Sequence, residues 1–399
     1  MLKMGRPIKK RDADTSITEI GNPKNLKRCE LAICGEEKIS EDEGCYILAL
    51  CGTHQGESEF RIAAAASDCT SSVYSVGESV NRINILNENN SPIVGIKFSP
   101  ISRNIVYTAM RDGFITACDL RAKGKIIATI RDFTPDGKLR PFSSFDISND
   151  DRYAVAGSEH VGGDAFILFW DLRYNNGRMK EKSDLLGGYW ESHIDDITTL
   201  SFHPTKQDYL ASGSTDGLIN IFDLTQDSED SALKYALNTE SSVDRLGWLD
   251  NGNIWCTTHT HELQLWDRKD AQPYRRFERD SLGTFMNSDL DSCYVVKMHN
   301  SNVFGHPFLL AGSTNFNNDL SGLIVEDDTL ETCYDLPGNK QLVRDSWYDE
   351  KTGCLVTGGE MGILNFWKEN ETTQENNVAK SLSKLSVKKR DKQARPKPY

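Results

Sequence analysis

His193, Ser212 and Asp216 lie in the middle of the chain, and these three residue types can form a nucleophilic triad. A nucleophilic serine often stands in a GxSxG turn, whereas Ser212 lies in the sequence LASGS. The same side chains can also satisfy one another when buried, because an imidazole can donate to a carboxylate and accept from a hydroxyl. We therefore interpret the three residues as a buried structural network in which Asp216 forms a turn.

The other residues that could do chemistry do not form a convincing site. His259 and His261 share one face of a strand-like run, as a metal-binding pair would, but no third ligand stands beside them. Asp195 and Asp196 are consecutive, so in a strand they project to opposite faces and cannot act as an acid–base pair. The ten cysteines form no CxxC pair, and no GxxxxGK[ST] phosphate loop occurs. We expect a protein that is not an enzyme and has no metal or cofactor.

The stretch from Gly187 to Leu224 positions the network on short strands joined by turns. Residues alternate from Ile194 to His203, small residues form a short strand from Tyr209 to Ser214, and alternation returns from Leu218 to Asp223. A Thr-Asp-Gly turn that contains Asp216 joins the last two strands. One such unit cannot bury both of its faces alone, so the pattern predicts further copies.

Copies of this unit recur at a fixed spacing. The aspartates of the turns lie 52 residues apart, and so do the aspartates that close the units. In three consecutive units they are Asp112 and Asp119, Asp164 and Asp171, and Asp216 and Asp223. Two independent spacings that agree over three units indicate true repeats.

The unit resembles the WD40 repeat, which has a His near its start, a Ser in the second strand, a turn Asp and a closing Trp-Asp. The segments FILFWDLR, LGGYWESHIDDITTLSFHPTKQDYLASGSTDGLINIFDL and TGGEMGILNFW carry this resemblance. It implies an all-β fold, namely a seven-bladed WD40 β-propeller. It also implies a structural role for His193, Ser212, Asp216, Asp112, Asp164 and Trp170. Phe222 replaces the Trp of the fourth unit, which leaves that network with three members.

Seven units account for the alternating segments between residues 29 and 368. An open stack of sheets would leave an unpaired edge, so we expect Glu30–Ile33 to pair beside Ile363–Trp367 and close the ring. Residues 1–28 and 369–399 are polar and show no periodicity. We expect them to be disordered basic tails on a single propeller domain of residues 29–368.

The charge is distributed unevenly along the chain. The net charge is −13, although residues 1–28 carry +5 and residues 378–399 carry +7, which leaves −25 between them. An acidic body disfavours nucleic acid and favours proteins or peptide segments as partners, including basic ones. The acidic segments Gly35–Gly44 and Asp227–Asp230 are either solvated loops or a negative rim for such a partner.

The basic runs of the two tails can contact an import receptor or RNA, or can simply be solvated. They consist of Lys9, Lys10 and Arg11, and of Lys388, Lys389 and Arg390. The mean hydropathy is −0.51, and no run of about 18 apolar residues indicates a membrane span. The N-terminus has no apolar segment typical of a secretory signal. We expect a monomer located in the nucleus, the cytoplasm or both, with no membrane contact.

The third unit ends in Phe169-Trp170-Asp171-Leu172-Arg173, which resembles the WDxR ending of WD40 substrate receptors of cullin-4 ubiquitin ligases. In those receptors the ending docks onto the ligase adaptor, which makes Trp170, Asp171 and Arg173 docking candidates here. Arg121 follows the closing Asp of the second unit and is a further candidate. The alternative is that these arginines only cap a strand. The sequence thus predicts a non-enzymatic scaffold for protein–protein interaction, with a cullin-4 substrate receptor as the alternative function.

Overall fold

Runs in which small, β-branched and aromatic residues alternate with polar ones fold into short strands along the whole described chain. The computed structural model describes residues 28–369, except 41, 43, 55–58, 87–90, 132–139, 173–184, 287, 302–305, 316–318 and 327–328. Gly113 and Gly217 follow the turn aspartates of the second and fourth units at φ of +87° and +84°. Glycine adopts this conformation without steric cost, which explains its place in these turns.

The first half of the described chain contains strands β1 to β13. They are β1 Cys29–Lys38, β2 Ile47–His54, β3 Phe60–Ala66, β4 Ser71–Val76, β5 Val80–Leu86, β6 Ile93–Phe98, β7 Ile105–Met110, β8 Phe114–Asp119, β9 Lys125–Arg131, β10 Phe142–Ile147, β11 Tyr153–Ser158, β12 Ile167–Asp171 and β13 Leu185–Tyr189.

The second half contains strands β14 to β28 and two short helices. The strands are β14 Thr199–Phe202, β15 Tyr209–Gly213, β16 Leu218–Asp223, β17 Leu233–Asn238, β18 Val243–Trp248, β19 Ile254–Thr258, β20 Leu263–Trp266, β21 Arg275–Phe277, β22 Cys293–His299, β23 Phe308–Ser313, β24 Leu320–Glu326, β25 Thr329–Asp335, β26 Val343–Asp349, β27 Cys354–Gly359 and β28 Ile363–Glu369. The helices are α1 Glu229–Ala232 and α2 Arg279–Phe285.

The strands assemble into the sheets of a β-propeller. Five sheets of four antiparallel strands are separate: β2–β5, β6–β9, β10–β13, β14–β17 and β18–β21. The remaining strands form one eight-stranded sheet in the order β22-β23-β24-β25-β1-β28-β27-β26. The all-β propeller expected from the sequence is confirmed. Five sheets rather than seven are separate blades, and the eight-stranded sheet lies where the sequence predicts the sixth and seventh units.

Strand β1 joins the two ends of the described chain. It pairs antiparallel with β28, with Ile33 opposite Trp367, and parallel with the end of β25. The Arg28 guanidinium forms an ion pair with Asp335 in β25, and Leu31 is 1% exposed. The closure that the sequence predicts for this N-terminal strand is therefore confirmed.

The first strand of each separate sheet, together with β22 and β26 of the eight-stranded sheet, lines a central channel. These inner strands are β2, β6, β10, β14, β18, β22 and β26, and they succeed one another around the channel. Large aromatic side chains fill the space between neighbouring sheets, with Trp170, Trp266 and Trp367 fully buried. Gly52 in β2 lies against the Trp347 indole, where a Cβ atom would overlap the ring. Within the described residues, no helix combines the length and the apolar composition needed to cross a membrane.

Candidate protein-interaction site

His193, Ser212 and Asp216 meet in the fourth sheet, as a buried network. The His193 Nδ1 atom lies 3.0 Å from Asp216 Oδ2, and its Nε2 atom lies 2.7 Å from Ser212 Oγ. The side chains of His193 and Asp216 are 0% and 3% exposed, and Ser212 is fully buried. Burial raises the pKa of Asp216, but hydrogen bonds from His193 and from two backbone amides lower it below its ordinary value. A substrate cannot reach the Ser212 hydroxyl, so the geometry favours a structural role.

Asn220 is a fourth polar residue of this network that the sequence analysis did not identify. Its Nδ2 atom donates to the Ser192 carbonyl at 2.6 Å and lies 3.4 Å from His193 Nε2. Asn220 lies opposite Ser212 in the β15–β16 pair, two residues before Phe222. The repeat pattern does not include this position, so only cross-strand register could have identified it.

The network also holds the loop between β13 and β14. The Asp216 carboxylate accepts hydrogen bonds from the backbone amides of Ile194 at 3.2 Å and Leu218 at 2.8 Å. Ile194 is 73% exposed, although its backbone is tied to the buried network. A large apolar side chain is thus presented to solvent from a fixed position.

Loss of the Asp216 carboxylate should destabilise the fold. We expect Asp216→Ala to lower the free energy of unfolding by about 1 to 3 kcal/mol, because the buried His193 ring loses a partner and the turn loses an acceptor. Urea unfolding monitored by tryptophan fluorescence measures the change. The matched control is Asp195→Ala, an exposed aspartate of the same loop, which should change stability by no more than about 0.5 kcal/mol. Equal stability of the Asp216 variant and the unmodified protein would contradict the network.

Further apolar side chains are exposed beside Ile194, at the end of the propeller where the second and third strands of each sheet join. We call this end the upper face. Val161, in the turn between β11 and β12, is 42% exposed, and Trp190, directly after β13, is 41% exposed. The His160 amide donates to the Asp196 carboxylate at 2.6 Å, which joins the two loops. The upper patch is the surface formed by Val161, Trp190, Ile194, Asp195 and Asp196.

The turn aspartates of the second and third units are placed differently from Asp216. Asp112 is exposed, and its backbone amide donates to Ser91 Oγ at 3.1 Å. Asp164 is also exposed, and its backbone bridges Val161. Trp170 is fully buried, and its indole nitrogen has no hydrogen-bond partner among the described residues. The complete network with a histidine is therefore seen in the fourth unit, and neither Asp112 nor Asp164 joins one like it.

The adaptor-docking candidates of the third and second units are mostly inaccessible or occupied. Trp170 is 0% exposed and Asp171 is 8% exposed, so neither presents its side chain to a partner. The Arg121 guanidinium forms two hydrogen bonds with Asp119, at 3.0 and 2.8 Å. Arg173 and the basic runs of both tails lie outside the described residues. Of the four docking candidates, Arg121 is the one whose side chain the structure presents on the surface.

The histidine pair does not form a metal centre in the described part of the chain. His259 is exposed, while His261 is half-buried in a left-handed conformation at φ +60°. Burial and the nearby Arg279 guanidinium lower the pKa of His261. The described residues contain no group of three or more histidine, cysteine or carboxylate side chains positioned to hold a metal ion.

The central channel contains charged residues that the sequence analysis missed. The channel has a volume of about 540 Å³ and is lined by all seven inner strands. Asp345 in β26 lies 2.9 Å from the Arg245 guanidinium in β18 and 3.2 Å from the Lys297 ammonium in β22. Its carboxylate also accepts from the Leu50 amide at 2.7 Å and the Ser346 amide at 2.8 Å. Burial opposes ionisation, but the two cations and these amides lower the pKa of Asp345 to about 2.

A second charged pair connects neighbouring blades on another side of the channel. The Lys97 ammonium in β6 lies 2.9 Å from Asp146 in β10, and the other Asp146 oxygen accepts from the Phe202 amide in β14 at 2.9 Å. The Asp146 carboxylate raises the pKa of Lys97 above its ordinary value, which keeps the ammonium charged. Both aspartates therefore bridge blades, because each accepts from a backbone amide of the next sheet and forms ion pairs with other sheets, two for Asp345 and one for Asp146.

His299, at the end of β22 in the same channel, should make the stability depend on pH. Burial and the Lys297 ammonium lower the pKa of His299 to about 3, and its ring bonds the Ser346 hydroxyl at 2.8 Å. In the unfolded chain the pKa is about 6.5, so the unfolded state binds more protons between these values. The stabilisation that depends on neutral His299 is fully present above pH 6.5, and it should be lost at up to about 1.4 kcal/mol per pH unit as the pH drops from about 6 towards 4.

Urea unfolding at several pH values measures this dependence. In His299→Gln the slope should become shallower by about 1 kcal/mol per pH unit, while the control His259→Gln, at an exposed ring, should keep the original slope. His203 and His261, whose pKa burial also lowers, contribute a dependence of the same sign that remains in both variants. An unchanged slope in His299→Gln would contradict a neutral buried His299.

The fold is that of a β-propeller, and the repeat spacing and the buried network resemble those of WD repeat proteins. No family model matches the chain. The chain is 28% identical over 310 residues to an uncharacterized WD repeat-containing protein of Saccharomyces cerevisiae, covering 75% of this chain and 72% of that protein. It is 24% identical over 350 residues to the WD repeat-containing protein 89 homolog of Dictyostelium discoideum, covering 87% of this chain and 89% of that protein. The resemblance to WD repeat proteins predicted from the sequence is confirmed.

A partial similarity connects the chain to a protein of a named complex. The chain is 22% identical over 199 residues to the GATOR2 complex protein WDR24 of Danio rerio, covering 49% of this chain and 23% of that protein. This match covers less than a quarter of WDR24.

Proposed function

We propose that this protein is a non-enzymatic scaffold that binds a segment of a partner protein at the upper patch. The observation that carries the proposal is Ile194, which is 73% exposed while its backbone amide is bound by the buried Asp216 carboxylate. Large apolar side chains on a fixed backbone are typical of interaction surfaces, because less conformational entropy is lost there on binding. The similarity to WD repeat proteins supports this function, and the similarity to WDR24 supports protein partners within a complex.

The partner segment is proposed to be basic and apolar. Val161, Trp190 and Ile194 supply apolar contacts, and the adjacent Asp195 and Asp196 supply negative charge. The −25 charge of the central part of the chain extends this potential beyond the patch. Binding should therefore weaken as salt rises, because the contribution of exposed charges is screened.

Comparative affinity purification followed by mass spectrometry tests the scaffold function. Partners of the upper patch should be lost in the double variant Val161→Asp, Ile194→Asp and retained in Ile101→Asp. Ile101 is 67% exposed in the loop between β6 and β7, at the opposite end of the propeller, so it is a matched apolar control. Identical partner sets for the double variant and the unmodified protein would contradict the proposal, and so would equal losses in both variants.

We propose that the eight-stranded sheet is two blades joined through β1, which makes the propeller seven-bladed over residues 29–368. The seven inner strands that line one channel support this count. The parallel contact between β1 and β25 covers two residue pairs, whereas the antiparallel contact between β1 and β28 covers seven. The weaker contact is the natural boundary between the sixth and seventh blades.

We also propose that the protein is located in the nucleus and that the basic tails direct it there. Residues 1–28 and 378–399 carry +5 and +7, and their attachment points lie together because Leu31 pairs with Glu369. Fluorescent fusions that lack either tail or both would test it, with cytoplasmic accumulation expected after loss of both.

A cullin-4 receptor is not proposed as a second function, because Trp170 and Asp171 are buried and Arg121 is paired with Asp119.

A further inference from the structure

The outer edge of β13 differs from the other outer edges of the propeller. Proteins protect exposed sheet edges with charged side chains, which resist pairing with another chain. Among the described outer strands, β13 has the sequence LLGGY and is the one without a charged residue. The charged residues on the others are Arg82 in β5, Lys125 and Arg131 in β9, Lys234 in β17, Arg275 and Arg276 in β21, Glu331 and Asp335 in β25, and Glu30, Glu36, Glu37 and Lys38 in β1.

The backbone of β13 is also accessible. It is the last strand of its sheet, in the order β10-β11-β12-β13, and no described strand pairs with its outer side. Gly187 has no side chain that could shield this edge and has open space beside it, whereas the Trp190 indole packs against Gly188. The side chain of Leu186 is 54% exposed at an irregularity in the pairing with β12.

A groove with an aromatic floor runs along this edge, between the third and fourth sheets. It has a volume of about 330 Å³, and Tyr153, Phe169, Tyr189 and Leu224 are among its lining residues. The rings of Phe169 and Tyr189 pack with centroids 5.0 Å apart. A groove of this size beside an open strand can take the side chains that an added strand directs towards it.

The far wall of the groove is acidic. Asp227 and Glu229 line it, and Asp230 is exposed next to them. Glu229 is held in place because it accepts from the backbone amides of Trp190 at 2.8 Å and Glu191 at 2.9 Å. A second copy of the chain would bring acidic walls together, whereas a basic segment would be attracted.

We propose that the outer edge of β13 binds an extended segment of a partner protein as an added β-strand. Main-chain hydrogen bonds to β13 would supply the pairing, and alternate apolar side chains would enter the groove over Phe169 and Tyr189. Lysine or arginine residues flanking the segment would contact the wall formed by Asp227 and Glu229. This edge adjoins the upper patch at Trp190, whose indole packs against Gly188 and whose amide donates to Glu229, but it recognises an extended backbone rather than exposed side chains alone.

A displayed library of random peptides of about ten residues, selected on the full chain, tests this proposal. We expect enriched peptides with alternating apolar residues and an excess of lysine and arginine. The variant Leu186→Lys should weaken their binding by about tenfold or more, because a charge on the edge opposes strand addition. The matched control is Leu233→Lys on β17, where the leucine is 36% exposed and the edge already carries Lys234. That control should bind the peptides as the unmodified protein does.

Two further measurements make the outcome specific. Hydrogen–deuterium exchange of the unmodified protein with an enriched peptide should slow at the amides of β13, and circular dichroism should show that Leu186→Lys remains folded. The proposal is overturned if no peptide is enriched, if enriched peptides bind Leu186→Lys undiminished, or if the amides of β13 exchange at an unchanged rate. It is also overturned if sedimentation shows a dimer that Leu186→Lys abolishes, because the edge would then pair with a second copy.

Discussion

Replacing Asp345 with alanine is expected to lower the free energy of unfolding by about 3 to 5 kcal/mol, because it removes a buried carboxylate that pairs with two half-buried cations. The carboxylate pairs with Arg245 at 2.9 Å and Lys297 at 3.2 Å, and these side chains are 30% and 28% exposed. It also accepts from the Leu50 and Ser346 amides. One substitution therefore breaks the contacts of β26 with β18, β22 and β2. Urea unfolding followed by tryptophan fluorescence measures the loss.

A control substitution at a nearby aspartate distinguishes loss of this bridging role from simple loss of negative charge. Asp244 precedes Arg245, its side chain is 39% exposed, and it lies 3.9 Å from the same guanidinium. Asp244→Ala should therefore lower stability by no more than about 1 kcal/mol, as expected for a partly exposed ion pair. Similar losses in both variants would show that Asp345 does not hold the blades together.

The repeat architecture is predictable from the sequence because its signals are local. Asp216 marks a turn, the residues on both sides of it alternate, and the 52-residue spacing repeats the pattern. The outermost strands cannot be predicted in this way. Strand β13 reads LLGGY and β21 reads RRF, and neither shows the alternation of apolar and polar residues that marks a strand in a sequence. Their pairing depends on the sheet that is already formed.

A related reason explains why only part of the candidate site could be predicted from the sequence. The His193–Ser212–Asp216 network lies within a single sheet, so local spacing is enough to suggest it. Asp345 and its partner Arg245 are 100 residues apart and lie in different sheets. Each stands in a strand with other charged residues, Arg344 and Asp349 in β26 and Asp244 in β18, so the sequence does not single out this pair. Only ring closure brings them together, so no local pattern could have indicated the channel cluster.

Deleting residues 1–36 is expected to abolish the cooperative unfolding transition, because ring closure depends on β1. The deletion removes Leu31, which is 1% exposed within a core cluster that contains Trp367 and Tyr334. It also leaves the edge of β28 without most of its antiparallel partner and removes the Arg28–Asp335 ion pair. Exposed strand edges and apolar surface favour aggregation. Thermal unfolding by circular dichroism, with light scattering to detect aggregates, measures both consequences.

Deletions that retain β1 should keep the melting temperature unchanged. Comparing them with the 1–36 deletion distinguishes the effect of ring closure from the effect of the charge of the tails. Removing residues 1–27 takes away most of the positive charge of the N-terminal tail but retains every residue of β1, so the melting temperature should stay within measurement error. Removing residues 370–399 should also preserve it, because β28 ends at Glu369. If the 1–36 deletion melts like these two proteins, the propeller is stable without its N-terminal strand, and the sheets must hold the ring through contacts between blades alone. If all three variants lose stability, the tails stabilise the fold directly, and ring closure through β1 does not explain the effect of the 1–36 deletion.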